Sequence, residues 1–193
     1  MKSKDVIIIK FLIEKKNEEL NIRSISKGLH MDYKNVHSII KRLEKESIVE
    51  LEIFGKSKRV KLIPKMHPLI FEAEYKRREE LLKNKNLAVM LREIKNKLKS
   101  KLFVLLIFGS YAKKTQTEKS DIDLMFIVSD GKEEQFEKDT DNALRLLPLP
   151  IHHIVFSEKQ FLEMLDSKES NVGKEALNNN IILYGVEAYY GMI

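Results

Sequence analysis

The chain has 193 residues, 43% of them hydrophobic and none of them cysteine, so it can bury a core but forms no disulfide and no thiolate metal site. No apolar run approaches the roughly 18 residues of a membrane span, and the apolar stretch 6–13 is broken by Lys10, so neither a membrane partner nor a signal peptide is expected and the expected compartment is the cytoplasm. Charge is uneven: residues 1–100 carry 25 Lys and Arg against 14 Asp and Glu, and residues 101–193 carry 10 against 15, which predicts a basic half that meets a polyanion and an acidic half that holds cations.

Val6, Ile9, Leu12 and Ile13 recur at helical spacing, and Ile7 and Ile8 widen the stripe, which predicts a buried first helix over 5–17. Asn21 or Ser24 caps a short second helix ending near Lys27, with Gly28 in the turn. Asp32 caps a third helix, about 33–46, with Val36, Ile39, Ile40 and Leu43 inward. Apolar–polar alternation predicts strands over 49–53 and 59–63, joined through 54–58 with Gly55 in the turn. Three helices and a hairpin with a basic tip resemble the winged helix-turn-helix class in element order and charge placement. The resemblance implies double-stranded DNA as a partner. Tyr33, Lys34, Asn35, His37 and Ser38 would then lie near base edges in a major groove, and Lys41 and Arg42 would touch phosphates. Lys56, Lys58 and Arg59 of the wing would contact backbone or minor groove. The alternative is a winged helix that binds protein.

Pro64 to Pro68 ends the wing, and 69–85 reads as a charged helix with Leu69, Ile70, Ala73, Leu81 and Leu82 apolar, a seam for a homodimer. Lys76, Arg77 and Arg78 on it read as a solvated cluster. Residues 87–98 form an amphipathic helix with Leu87, Met90, Leu91, Ile94 and Leu98 inward.

The apolar run 102–108 reads as a buried strand, broken by Gly109-Ser110. After a polar segment, 113–119, a second apolar run, 122–128, carries Asp121 and Asp123 at its start. Side chains two apart on a strand share a face, so the two carboxylates can hold Mg²⁺ together. A Gly-Ser turn opening a helix supplies N–H groups for phosphate oxygens. Gly109, Ser110, Ala112, Ser120, Asp121, Asp123 and Leu124 resemble the signature of the minimal nucleotidyltransferases of the polymerase-beta superfamily, Gly-Ser-x-Ala-x-Gly followed by Ser-Asp-x-Asp-Leu. The likeness covers about 91–193. It implies nucleotidyl transfer from a nucleoside triphosphate, with Asp121 and Asp123 on Mg²⁺, or Mn²⁺, Gly109 and Ser110 on the phosphates, and Ser120 ordering the loop.

Two positions depart from that signature. Lys114 stands where the second glycine belongs. On the strand expected over 151–156, His152 stands where the family has its third carboxylate, and His153 should face the other way. An imidazole there is either a proton acceptor near neutral pH, a ligand that favours Mn²⁺, or a packed residue in a site without catalysis. Asp139 or Asp141 could substitute for the acid. Helices are further expected within 131–147 and, capped by Ser157, over 158–166, with a last apolar run in 178–185.

The expected class is α+β: a winged helix-turn-helix over 1–66, a linker helix over 67–86 and a small mixed-sheet nucleotidyltransferase-like domain over 87–193. Two functions stay open. One is a DNA-binding nucleotidyltransferase whose acceptor is a macromolecule, such as the HEPN-type toxin that family members modify. The other is a winged-helix transcription regulator whose nucleotidyltransferase fold is degenerate and senses nucleotide or a partner.

Overall fold

The structure, a computed structural model, describes residues 2–55 and 57–193. The wing contact expected of Lys56 therefore lies outside the described residues. The chain divides into two compact units, one holding the chain up to Lys76 together with Ile193, the other Arg77–Met192.

In the first unit, α1 (Lys2–Glu14) buries Val6, Ile8, Ile9, Leu12 and Ile13 on one wide face; Ile8 widens the stripe as expected, whereas Ile7 lies on the exposed side. Each aliphatic side chain taken fully from water contributes about 1.5–3 kcal/mol. The short α2 (Ile22–Gly28) is held at its start by a reciprocal cap: Asn21 Oδ1 accepts from the Ser24 N–H, and Ser24 Oγ accepts from the Asn21 N–H, both at 2.9 Å. Asp32 caps α3 (Tyr33–Lys45) by accepting from the Asn35 N–H, and Val36, Ile39, Ile40 and Leu43 form its buried stripe. Strands β1 (Val49–Phe54) and β2 (Ser57–Leu62) pair antiparallel from Val49–Leu62 to Phe54–Ser57. The ladder thus runs closer to the turn than alternation alone predicted, because backbone pairing continues past the last buried side chain.

Helix α4 (Pro68–Leu81) corrects two expectations. Its apolar side chains are used within the fold: Ile70 and Ala73 are buried, and Leu81 packs with Leu82 on the core of the second unit, which leaves little of the expected dimer seam. Arg77 and Arg78 do not form a solvated cluster. Arg77 is buried and donates from Nη2 to the Asn180 carbonyl at 2.6 Å, and Arg78 donates to the Leu183 carbonyl at 3.4 Å. A charged-looking helix can bury guanidinium groups where backbone carbonyls receive them.

The second unit is built on a four-stranded mixed sheet. In space the strands run β5 (Ile151–Ser157), β4 (Ile122–Val128), β3 (Phe103–Phe108), β6 (Asn180–Tyr184), with β4–β5 parallel and the other pairs antiparallel. Strands β3 and β4 are apolar almost throughout because both faces are covered. One face carries Phe103, Leu105, Ile107, Leu124 and Phe126 against α5 (Lys85–Lys97) and α7 (Glu133–Leu144). The other carries Val104, Leu106, Phe108, Met125 and Ile127, and is served by α8 (Glu158–Asp166), α9 (Val172–Asn178) and α10 (Val186–Met192), which bring in Phe161, Ala176, Tyr189 and Tyr190. Two of these helices, α9 and α10, escape a sequence reading because seven residues are too few to display a period. Between β3 and β4 sits the one-turn helix α6 (Gly109–Lys113).

Candidate functional site

The site begins where β3 ends. Gly109 has φ +64, a left-handed conformation that costs an ordinary L-residue about 1–2 kcal/mol, and a Cβ placed on it would overlap Oδ2 of Asp123. Glycine meets both demands without strain and without displacing the Asp123 carboxylate. The strand register explains the approach, since Phe108 pairs with Asp123 directly across the ladder. The chain then turns into α6, whose N-cap, Phe108, offers no side-chain hydrogen bond to the first N–H groups. Ser110 lies half-buried in that turn.

Asp123 and Asp121 are two apart at the start of β4 and share a face. The parallel register sets His152 of the edge strand β5 beside Asp123. His152 Nε2 lies 3.9 Å from Asp121 Oδ2, and the two side chains are 74% and 47% exposed. Ser120 lies in the loop before them: its hydroxyl accepts from the Thr117 N–H at 2.9 Å and its own N–H donates to the Thr117 carbonyl, so it clasps the loop that delivers Asp121. His153 occupies the opposite face, edge-on to Phe126. Its Nε2 stands 3.3 Å from Asp141 Oδ1 without hydrogen-bond alignment. Asp141 therefore sits behind the sheet, beside the wrong histidine to replace the third acid.

Burial pushes the Asp123 carboxyl up; His152 pulls it down, Asp121 and Glu175 push it further up, and Lys113 pulls it down. A cation bound there would favour the charged carboxylate. Among the described residues no three His, Asp or Glu side chains stand together closely enough to hold an ion by themselves. The residues present fit a site of two carboxylates that is completed by oxygens of a bound phosphate.

Lys114, in place of the signature glycine, has φ +58 and ends α6 in the left-handed region. The glycine of the signature is thus a conformational requirement that this chain meets with a strained lysine. At the far end of the unit Gly185, φ +78, presses on the Phe103 carbonyl, 2.6 Å from where its Cβ would stand.

Residues 92–188 match the family model described as Polymerase beta, Nucleotidyltransferase. The chain belongs to that family. No curated protein matches it. One chain of a solved "Crystal structure of the toxin-antitoxin with AMP-PNP" is similar over 56% of this chain and 77% of its own, at 18% identity and a TM-score of 0.37.

The first unit carries a second candidate region. Tyr33, Lys34, Asn35, His37 and Ser38 are exposed on α3, and the Tyr33 and His37 rings stack 6.1 Å apart. A groove of about 520 Å³ runs between α2, α3 and the hairpin, lined among others by Arg23, Tyr33, His37, Lys41 and Lys58, with no carboxylate among its described lining residues. Arg23 escaped the sequence reading; the charge argument applied to α3 and the wing would have found it on α2. Three expected contacts have carboxylate partners. Arg42 Nη2 donates to the buried Asp5 Oδ1 at 2.5 Å, tying α3 to α1, with a third of its side chain still exposed. Arg59 faces Glu19 at 3.9 Å, and Lys41 is paired with Glu44 at 2.8 Å.

Proposed function

We propose that the chain is a nucleotidyltransferase that binds a magnesium nucleoside triphosphate at Asp121 and Asp123 and carries its own DNA-docking unit. The observation that carries the first part is the close approach of Gly109 to Asp123: a left-handed glycine turn set directly against a carboxylate that burial pushes up. When bound, a divalent ion there, Mg²⁺ or Mn²⁺, would offset the charge of the triphosphate. The Gly109 amide and Ser110 hydroxyl would grip the β- and γ-phosphates, and Ser120 would keep the loop closed. An acceptor hydroxyl attacks the α-phosphorus, the new P–O bond forms as the bond to the β-phosphate oxygen breaks, and pyrophosphate leaves. His152, exposed on the edge strand beside Asp123, is placed to take the acceptor's proton. Catalysis is then mainly positioning and charge stabilisation.

The exposure of His152 and Asp121 at an open sheet edge supports a macromolecular acceptor, such as a HEPN-type protein, over an enveloped small molecule. The three helices and hairpin of the first unit support a winged helix-turn-helix on double-stranded DNA, with the carboxylate-free groove as its phosphate-facing surface. A second reading rests on His152 itself. With an imidazole in place of the third acid, the fold would serve as a nucleotide or partner sensor in a transcription regulator.

Calorimetric titration with ATP, GTP, CTP and UTP, each with Mg²⁺ or Mn²⁺, tests the reading, followed by His152→Asp and His152→Ala. Binding that depends on the metal supports the site. If His152→Asp gains pyrophosphate release and the parent has none, the sensor reading replaces the enzyme reading. No binding of any nucleotide would overturn the enzyme reading and the nucleotide sensor and leave only the partner sensor.

A further inference from the structure

Two side chains outside the signature meet at the edge of the site. Lys113 ends α6, three residues after Ser110, and its Nζ lies 2.9 Å from Oε1 of Glu175 on α9. The pair joins elements 62 residues apart in sequence. The strand register puts Asp123 and His152 on the face of the sheet that α9 serves. Both members of the pair are half-exposed, and an ion pair of that kind contributes at most about 1 kcal/mol, so it exchanges partners readily. Both charges also reach Asp123, with opposite effects.

A lysine one turn beyond a phosphate-gripping Gly-Ser has a natural anionic ligand, and here a carboxylate already holds it. An ammonium–carboxylate contact at this distance has the geometry of an ammonium–phosphate contact. We infer that Glu175 occupies the place on Lys113 that a nucleotide phosphate takes, so that the ion pair is a built-in competitor of the magnesium nucleotide. This rests on the nucleotide reading of the site. Binding would be an exchange: Lys113 passes from Glu175 to a β- or γ-phosphate oxygen, and Glu175 is released to water. The exchange raises the threshold concentration of triphosphate and penalises nucleotides with too few phosphates to reach Lys113. It also predicts that the two side chains act as one unit, so their substitutions are not additive.

The test is calorimetric titration of the full chain with ATP and Mg²⁺, comparing the parent with Glu175→Gln, Lys113→Met and the double variant, with thermal melting of each as a check on folding. Glu175→Gln should bind about two- to fivefold tighter, the range an exposed ion pair supplies. Lys113→Met should bind about tenfold more weakly, and the double variant should match Lys113→Met. AMP should show the weaker binding already in the parent and be insensitive to Glu175→Gln. Should Glu175→Gln melt early, Glu175→Asp, too short to reach Lys113, should give the same tightening. Parent-like affinity in both Glu175 variants, or tightening that persists without Lys113, would overturn the competition while leaving the nucleotide site standing. Absence of binding in the parent and every variant would overturn the nucleotide reading and this inference with it.

Discussion

The first unit is basic, with 17 Lys and Arg against 11 Asp and Glu, and the second is balanced, with 18 against 18, yet their candidate sites are found by the same sign: charge that the fold leaves unbalanced. In the first unit most cations near the expected DNA face already have partners, as in Arg42–Asp5, Lys41–Glu44, Arg59–Glu19 and Lys61–Glu52. Arg23 and Lys58 line the groove without a carboxylate beside them. In the second unit acids are abundant, but many are paired along helices, as Glu134 is with Lys138. At the start of β4, burial leaves Asp123 with its carboxyl pushed up, and Asp121 and Glu175 add to the effect. Net charge says what kind of ligand each half attracts. Local imbalance says where.

The largest expected effect breaks the second unit's side of that comparison. Asp121→Asn with Asp123→Asn should cost about a hundredfold or more in affinity for magnesium nucleotide. The same change should raise stability. Asp123 holds its proton more tightly folded than unfolded, so its penalty is absent below the ordinary carboxylate range and appears as pH rises through the raised value. Melting should therefore show a gain of about 1–3 °C at pH 7 that vanishes in acid. A variant that melts earlier than the parent at neutral pH would show that Asp123 is balanced after all.

Gly109→Ala comes next, at about 2–4 kcal/mol of unfolding free energy, from the left-handed backbone and the overlap with Asp123 together. A denaturant titration with an unchanged midpoint would remove the close approach from the argument.

The first unit is tested by contrast. Arg23→Glu with Lys58→Glu should weaken duplex binding about tenfold or more and reduce the salt slope by about two. Arg42→Ala should leave the slope alone and instead destabilise the fold by about 1–3 kcal/mol, because it strands the buried Asp5. If Arg42→Ala flattens the slope at parental stability, the division between engaged and available cations is wrong.

The smallest effect is a gain. Lys114→Gly should stabilise by about 1 kcal/mol, relieving the left-handed lysine. No change in melting temperature would mean that the Lys114 side chain compensates its own strain.

Much of the fold was legible because its signals are local. Asp32 before a 3.6-residue period, the reciprocal cap of Asn21 and Ser24, and the unbroken apolar runs of β3 and β4 each need only neighbours in the chain. The candidate site was legible for a related reason: Gly109-Ser110 and Asp121-x-Asp123 lie at the same end of one antiparallel pair, so short-range spacing encodes a contact in space. What failed needed partners far away. Arg77 reads as solvent-exposed until the Asn180 carbonyl, 103 residues on, receives it. Arg42 reads as an unpaired cation until Asp5 is seen beneath it. Asp141 reads as a spare carboxylate until the register turns it toward His153.

By itself the sequence determined the basic and acidic halves, the order of helices and strands, and a glycine turn beside paired carboxylates. Only the tertiary structure decided which charges remain unneutralised. It set His152 beside Asp123, brought Glu175 onto Lys113, and left Arg23 beside Lys58 on a groove. The reason is physical: propensity and period act within a few residues, whereas the worth of a charge depends on every group and every water within its reach.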